Sequence, residues 1–203
     1  MVTLYYYAHC PFCIRVRLAL GFLQIPHKTQ LLHYADEVTP VNFIEKKMTP
    51  ILKKIDGSYM GESLDIIRYL DSKSILGTIE DHTLQFLDEL SPDLYNLLMP
   101  YYGFSAEFDD KDRLYFRTKK EIKRGPFKIL VQKREFYLSI VETIIDNYKH
   151  HFEHKVDLNQ IVIASQLWGL FLVNEYRMPK YLYDYLQFMK ENCRFVYDLD
   201  FWN

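Results

Sequence analysis

Glycine is scarce in this 203-residue chain, with 7 residues where average usage of ~7% gives roughly twice as many. None stands in a G-x-G-x-x-G or G-x-x-x-x-G-K-[ST] pattern, which argues against a dinucleotide or P-loop phosphate site. Cysteine is scarcer, at 3 residues. That is too few for a disulfide scaffold, and the odd number argues against a secreted protein with every thiol paired. Long apolar runs are missing too. The stretch 161–173 is broken by Ser165 and Gln166 and falls short of the ~18 residues that cross a bilayer, so it reads as a buried helix. Met1-Val2-Thr3-Leu4 leads straight into tyrosines, without the basic and apolar regions of an export signal. Nor does one sign of charge dominate: residues 1–75 carry 9 Lys+Arg against 7 Asp+Glu, and residues 76–203 carry 16 against 20. Neither part has the balance of a nucleic-acid binder. These absences predict a cytoplasmic protein with no membrane and no nucleic-acid partner.

What is present suits a packed core: hydrophobic residues make up 49% and charged residues 26%, the balance of a folded globular protein rather than a disordered one. Val2–Tyr7 reads as a buried strand. Pro11 suits the first turn of a helix running to about Leu23, with Val16, Leu20 and Leu23 as its apolar stripe. His27–Leu32 resumes as a strand, and a crossover of this length predicts that it lies parallel to the first. A short helix opens at Thr39-Pro40. Asp56-Gly57 then predicts an antiparallel hairpin between Ile51–Ile55 and Ser58–Met60. Glu62-Ser63 begins a helix whose core face carries Leu64, Ile67 and Leu70. The opening therefore reads β-α-β-α-β-β-α.

Over Ser72–Gly77 the pattern loosens, which marks a linker, and all later periodicity is helical. Leu84, Leu87, Leu90, Leu94, Leu97 and Leu98 form one stripe, Phe136, Ile140, Ile144 and Tyr148 another, and Leu158–Val173 and Tyr181–Glu191 give two more helices. Asp157 with Gln160 reads as a capping box. The expected organisation is an α/β domain over 1–72, a linker over 73–83 and an all-helical domain over 84–203.

The most informative feature is Cys10-Pro11-Phe12-Cys13, a C-x-x-C directly after a strand and at a helix start. Tetrahedral zinc normally needs four Cys or His ligands, and Cys193 is remote with no nearby His, so no metal is expected. A buried pair of inert thiols is the bland alternative. Redox chemistry explains the position better, because the thiolate is the nucleophile and the unpaired N–H groups of a helix start favour an anion. Cys10, at the helix end, is expected to have a lowered pKa and to attack a disulfide. Cys13, one turn inside, is expected to be shielded and to displace the mixed disulfide, or to leave that step to an external thiol. Arg15 and Arg17 either add positive charge nearby or lie on a solvated helix face.

Three motifs in order resemble the bacterial glutaredoxin 2 family: Cys10-Pro11-Phe12-Cys13, Lys47-Met48-Thr49-Pro50-Ile51-Leu52, and the run from Glu62-Ser63-Leu64-Asp65 to Leu70-Asp71. The resemblance implies a glutathione-transferase-like architecture, with an N-terminal thioredoxin-fold domain and an all-α C-terminal domain. It implies a glutathione-dependent thiol–disulfide oxidoreductase acting on disulfide-containing or glutathionylated proteins, with glutathione as cosubstrate. By the same resemblance Pro50 is a cis-proline, Thr49 offers main-chain groups to the cysteinyl part of glutathione, and Glu62 and Ser63 hold its γ-glutamyl end, with Phe12 at the rim where tyrosine is frequent. Trans Pro50, a merely capping Ser63 and a merely favourable first-turn Glu62 are the structural alternatives. The C-P-F start is shared with omega-class glutathione transferases, which usually lack the second cysteine. A one-thiol transferase or dehydroascorbate reductase is therefore one rival, and a non-catalytic glutathione-transferase-like regulator the other.

Some features point less sharply. Residues 111–134 hold 10 basic residues against Asp112 and Glu121, expected as a solvated helix face. His150, His151 and His154 lack a carboxylate motif and read as a favourable helix end rather than a metal site. Cys193 is expected as a structural thiol, and the protein as a monomer.

Overall fold

The structure is a computed structural model, described over residues 1–173 and 176–196. The end of the expected helical domain, 197–203, lies outside the described residues. At the centre of the N-terminal part is β1 (Val2–Tyr6), with four of its five residues buried. It pairs in parallel with β2 (His27–Leu31), Val2 opposite His27, and antiparallel with β3 (Ile51–Lys53), which pairs antiparallel with β4 (Tyr59–Met60). The sheet order is β2-β1-β3-β4. The parallel pair follows from the intervening α1 (Pro11–Phe22). The antiparallel pair follows from the turn at Gly57, whose φ of 89° favours glycine. The short helix α2 (Val38–Ile44) and then α3 (Ser63–Leu70) complete the β-α-β-α-β-β-α order.

Helices follow: α4 (Asp81–Tyr102), α5 (Asp110–Arg124), α6 (Phe127–Gln132), α7 (Arg134–Tyr148), α8 (Leu158–Leu167) and α9 (Lys180–Asn192). Helix α1 is buried along most of its length because it shares one apolar core with Val2, Leu4 and Leu52 of the sheet and is packed against α3, α8 and α9. Its Gly21 lets that contact close: a Cβ there would lie 1.7 Å from the Cys193 carbonyl oxygen.

Several inward faces differ from the periodic reading. On α7 the buried line is Val141 and Ile145, with Phe136 60% exposed, because apolar residues occupy two adjacent stripes and α4 covers only one. Leu84 is exposed while Thr83 and Phe86 turn inward on α4, and Ile66 rather than Leu64 is buried on α3. The expected helix 158–173 ends at Leu167 and tightens into a 3₁₀ turn over Trp168–Leu172. Asp157 caps α8 by accepting the Gln160 N–H at 2.9 Å, but the Gln160 amide donates to the His151 carbonyl instead of closing a box. The complete box is at α5, between Asp109 and Asp112. Between α3 and α4 the chain is pinned: the Asp71 carboxylate accepts the N–H groups of Ile75 and Leu76, and the Leu158 N–H donates to the Leu76 carbonyl at 2.8 Å.

Candidate active site

The dithiol begins with local chain chemistry. Pro11 needs no N–H partner at the first helical position, so α1 starts directly after the extended Cys10, whose carbonyl accepts the N–H of Cys13 at 2.9 Å and of Ile14 at 3.0 Å. The two sulfurs are therefore one turn apart. Cys10 is half-buried and lines a cavity of about 460 Å³, whereas Cys13 is fully buried beneath it. The sulfur of Cys13 accepts the Tyr7 N–H at 3.5 Å and the Thr49 hydroxyl. The thiols are free of each other covalently.

Their electrostatics diverge. The Cys13 thiol donates to Cys10 and, with His9 and the N–H groups of Cys13 and Phe12 and against a penalty for burial, holds the Cys10 pKa down at about 6. Burial first, and the neighbouring Cys10 second, push Cys13 well above the usual thiol range. One sulfur is a thiolate at neutral pH and the other is not.

The other residues singled out from the sequence converge on the same cavity. Phe12, Thr49, Pro50, Glu62 and Ser63 all line it beside Cys10. The Thr49–Pro50 peptide is cis, and the β1–β3 ladder begins only at Ile51, so the main chain of Thr49 lies outside it. Ser63 opens α3, which has no side-chain cap, and Glu62 before it holds a left-handed φ of 64°. For a non-glycine residue this conformation is costly, and such positions cluster at functional sites. Phe12 stands at the rim, 43% exposed.

Neither arginine of α1 is a solvated helix-face residue. Arg15 is buried, donates to the Ser63 hydroxyl at 3.3 Å and lies 5.1 Å from the Phe12 ring centroid. Arg17 packs over Tyr6 and Phe195 and lines a separate hollow.

Sequence reasoning missed His9 and Glu107. The His9 imidazole, 7% exposed, meets the Glu107 carboxylate, which also accepts the His9 N–H at 3.3 Å. The pair spans 98 positions and carries no local signal. The helical wall was missed as well: Tyr95, Met99 and Tyr102 of α4 with Phe116, Lys120 and Arg124 of α5 close the cavity opposite Cys10. Another unforeseen group, His33, Asp109 and Asp112, brings potential metal donors together. Its donors are already engaged, Asp112 accepting from Ala35 at 2.6 Å and from His33 at 3.0 Å and so tying the loop after β2 to α5.

A C-x-x-C dithiol at the head of a thioredoxin-type sheet domain, faced by an all-helical C-terminal region, defines a protein of the glutathione-transferase-like class. Residues 4–74 match the glutathione S-transferase N-terminal domain family. Glutaredoxin 2 of Escherichia coli K12 is 34% identical over 156 residues, 73% of this chain and 71% of that protein. The crystal structure of Salmonella typhimurium glutaredoxin 2 in complex with glutathione superposes with a TM-score of 0.89 at 28% identity, over 97% of this chain and 96% of that one. A glutathione S-transferase of Ceriporiopsis subvermispora shares the fold, with a TM-score of 0.77 at 16% identity over 94% of this chain and 97% of that one. The chain belongs to the glutaredoxin 2 family.

Proposed function

We propose that this protein is a glutathione-dependent thiol–disulfide oxidoreductase in which Cys10 is the nucleophile and Cys13 the resolving thiol. The observation that carries the reading is the asymmetry of the pair: a Cys10 thiolate at the cavity floor, with a pKa of about 6, over a fully buried Cys13 held protonated. Thiol–disulfide exchange needs that division, since the thiolate attacks and a protonated partner waits. Cys10 attacks the glutathionyl sulfur of a mixed disulfide, and the old S–S bond breaks with its electron pair on the departing sulfur, which takes up a proton. A glutathione thiolate then attacks the glutathionylated Cys10, giving glutathione disulfide and the Cys10 thiolate. With an intramolecular protein disulfide, Cys10 first forms a mixed disulfide with the substrate. Cys13 then attacks Cys10, its proton passing to the departing substrate sulfur, which releases the substrate dithiol and leaves a Cys10–Cys13 disulfide that two glutathione molecules reduce to the dithiol, giving glutathione disulfide.

Glutathione is held, on this reading, by the main chain of Thr49 before Pro50, by Glu62 on its ammonium, and by Ser63 with the uncapped start of α3 on its γ-glutamyl carboxylate, with Phe12 covering the rim. The similarity to a glutaredoxin 2 that binds glutathione supports this. Disulfide-containing or glutathionylated proteins are the partners, met by a monomer in the reducing cytoplasm. No described helix is long and apolar enough to cross a membrane. A division into 1–72 and 84–203 around 73–83 belongs to the same proposal.

Cys13 is what separates this reading from a one-thiol transferase or dehydroascorbate reductase. Cys13→Ser is expected to keep turnover of small glutathione mixed disulfides while reduction of an intramolecular protein disulfide falls by about tenfold or more. Undiminished reduction of the protein disulfide overturns the dithiol mechanism. A correctly folded wild type with no glutathione-linked reductase activity favours the regulator instead.

A further inference from the structure

Helix α5 faces the cavity with Phe116, Lys120 and Arg124, three residues spaced four apart on one stripe. Its other charges are arranged differently. Arg113 pairs with Asp110, Arg117 with Glu121 and Lys119 with Glu37, while Lys111 and Lys123 are exposed and do not line the cavity. Lys120 is half-buried and, among the described residues, makes no ion pair. Its ammonium lies 5.6 Å from the Phe116 ring centroid. Arg124 is half-buried too, spending Nη1 on Asn96 at 2.9 Å and on the Pro92 carbonyl at 3.5 Å, both neutral acceptors. Glu62 is the carboxylate that lines the cavity, and it pairs with neither cation. The cavity is therefore polarised, with Glu62 on the α3 side, the Cys10 thiolate between, and two cations without a carboxylate partner on the helical side. Burial and the neighbouring cations Lys123 and Arg124 lower the Lys120 pKa, and the charge of Cys10 acts against them. An anion placed there relieves that repulsion.

We infer that Lys120 and Arg124 form an anion subsite on the helical wall, and that this protein favours glutathione mixed disulfides whose departing thiol carries a carboxylate. The inference rests on the oxidoreductase reading above and assigns the half of the substrate that reading leaves open. With the glutathionyl half at Thr49, Glu62 and Ser63, the departing half faces α4 and α5. Its sulfur leaves as a thiolate, and the nearby cations favour that developing charge as well as the carboxylate.

The test uses three mixed disulfides of glutathione, with 3-mercaptopropionate, 2-mercaptoethanol and cysteamine, and reads kcat/KM for each. In the wild type the anionic substrate is expected to exceed the cationic one by about tenfold at low salt, shrinking as salt screens the charges. In Lys120→Gln the ratio is expected to fall to about threefold or less, and Lys120→Arg, which keeps the charge, is expected to restore it. Lys120→Gln and Arg124→Gln together are expected to bring the ratio near one. A wild-type ratio near one overturns the subsite. So does an equal loss on all three substrates in Lys120→Gln, which places the cation on the glutathionyl half. Absence of turnover with all three overturns the oxidoreductase reading, and the subsite with it.

Discussion

Cys10→Ser is expected to lower glutathione-linked reduction of hydroxyethyl disulfide by about 10³-fold or more. No other thiol can take over. Cys13 is 0% exposed and held protonated by burial, and Cys193 is 0% exposed with its pKa pushed up to about 12 by burial. A serine hydroxyl accepts the same helix-start N–H groups but does not ionise near neutral pH, so it gains no nucleophile from them. The substitution is nearly isosteric at a half-buried position, and the melting temperature is expected to stay within a few degrees of wild type. Unchanged reductase activity in the variant removes Cys10 from the mechanism.

Gly21→Ala sets two effects of opposite sign against each other. Helix propensity alone favours alanine inside a helix by about 1 kcal/mol. Packing opposes it, because the new Cβ falls 1.7 Å from the Cys193 carbonyl oxygen and 2.9 Å from its carbon. Both neighbours are main chain at the end of α9, so no side chain can rotate away. The helices have to separate, and overpacking of this kind costs about 3 kcal/mol or more. Packing wins by about 2 kcal/mol or more, and thermal denaturation is expected to show a fall of at least roughly 4–8 °C for a chain of this size. An unchanged or raised melting temperature would show that α1 and α9 are not in the contact described.

The N-terminal order was legible because each step has a local cause. Pro11 starts a helix, Gly57 makes a turn, and Cys10 and Cys13 share a helix start by spacing alone. Thr49, Pro50, Glu62 and Ser63 carry only weak signals singly, and it was the resemblance of their motifs in order that brought them to one site. The helical region was less legible in detail, although its class was plain. Periodicity places an apolar stripe only to within one residue, and it puts Phe136 inward where Val141 and Ile145 are the buried pair. Which stripe faces the core is decided by the neighbour that covers it. His9 shows the same limit at the site: its partner Glu107 comes from the loop between α4 and α5, and nothing near either residue announces the other. The positive φ of Glu62 is likewise invisible in the sequence, since most residues holding that conformation are glycine.

A Cys10 thiolate poised over a protonated Cys13 must show itself in the pH dependence of alkylation. Reduced protein is treated briefly with iodoacetamide across pH 4.5–9.5, and the labelled cysteine is identified by mass spectrometry. Because the pKa of Cys10 is lowered in the folded protein, its thiolate is lost only as pH falls through about 6. Labelling at Cys10 is expected to rise with a midpoint near pH 6 and to be flat above pH 8, with Cys13 unlabelled. A midpoint near the ordinary thiol value, or labelling that begins at Cys13, would contradict it.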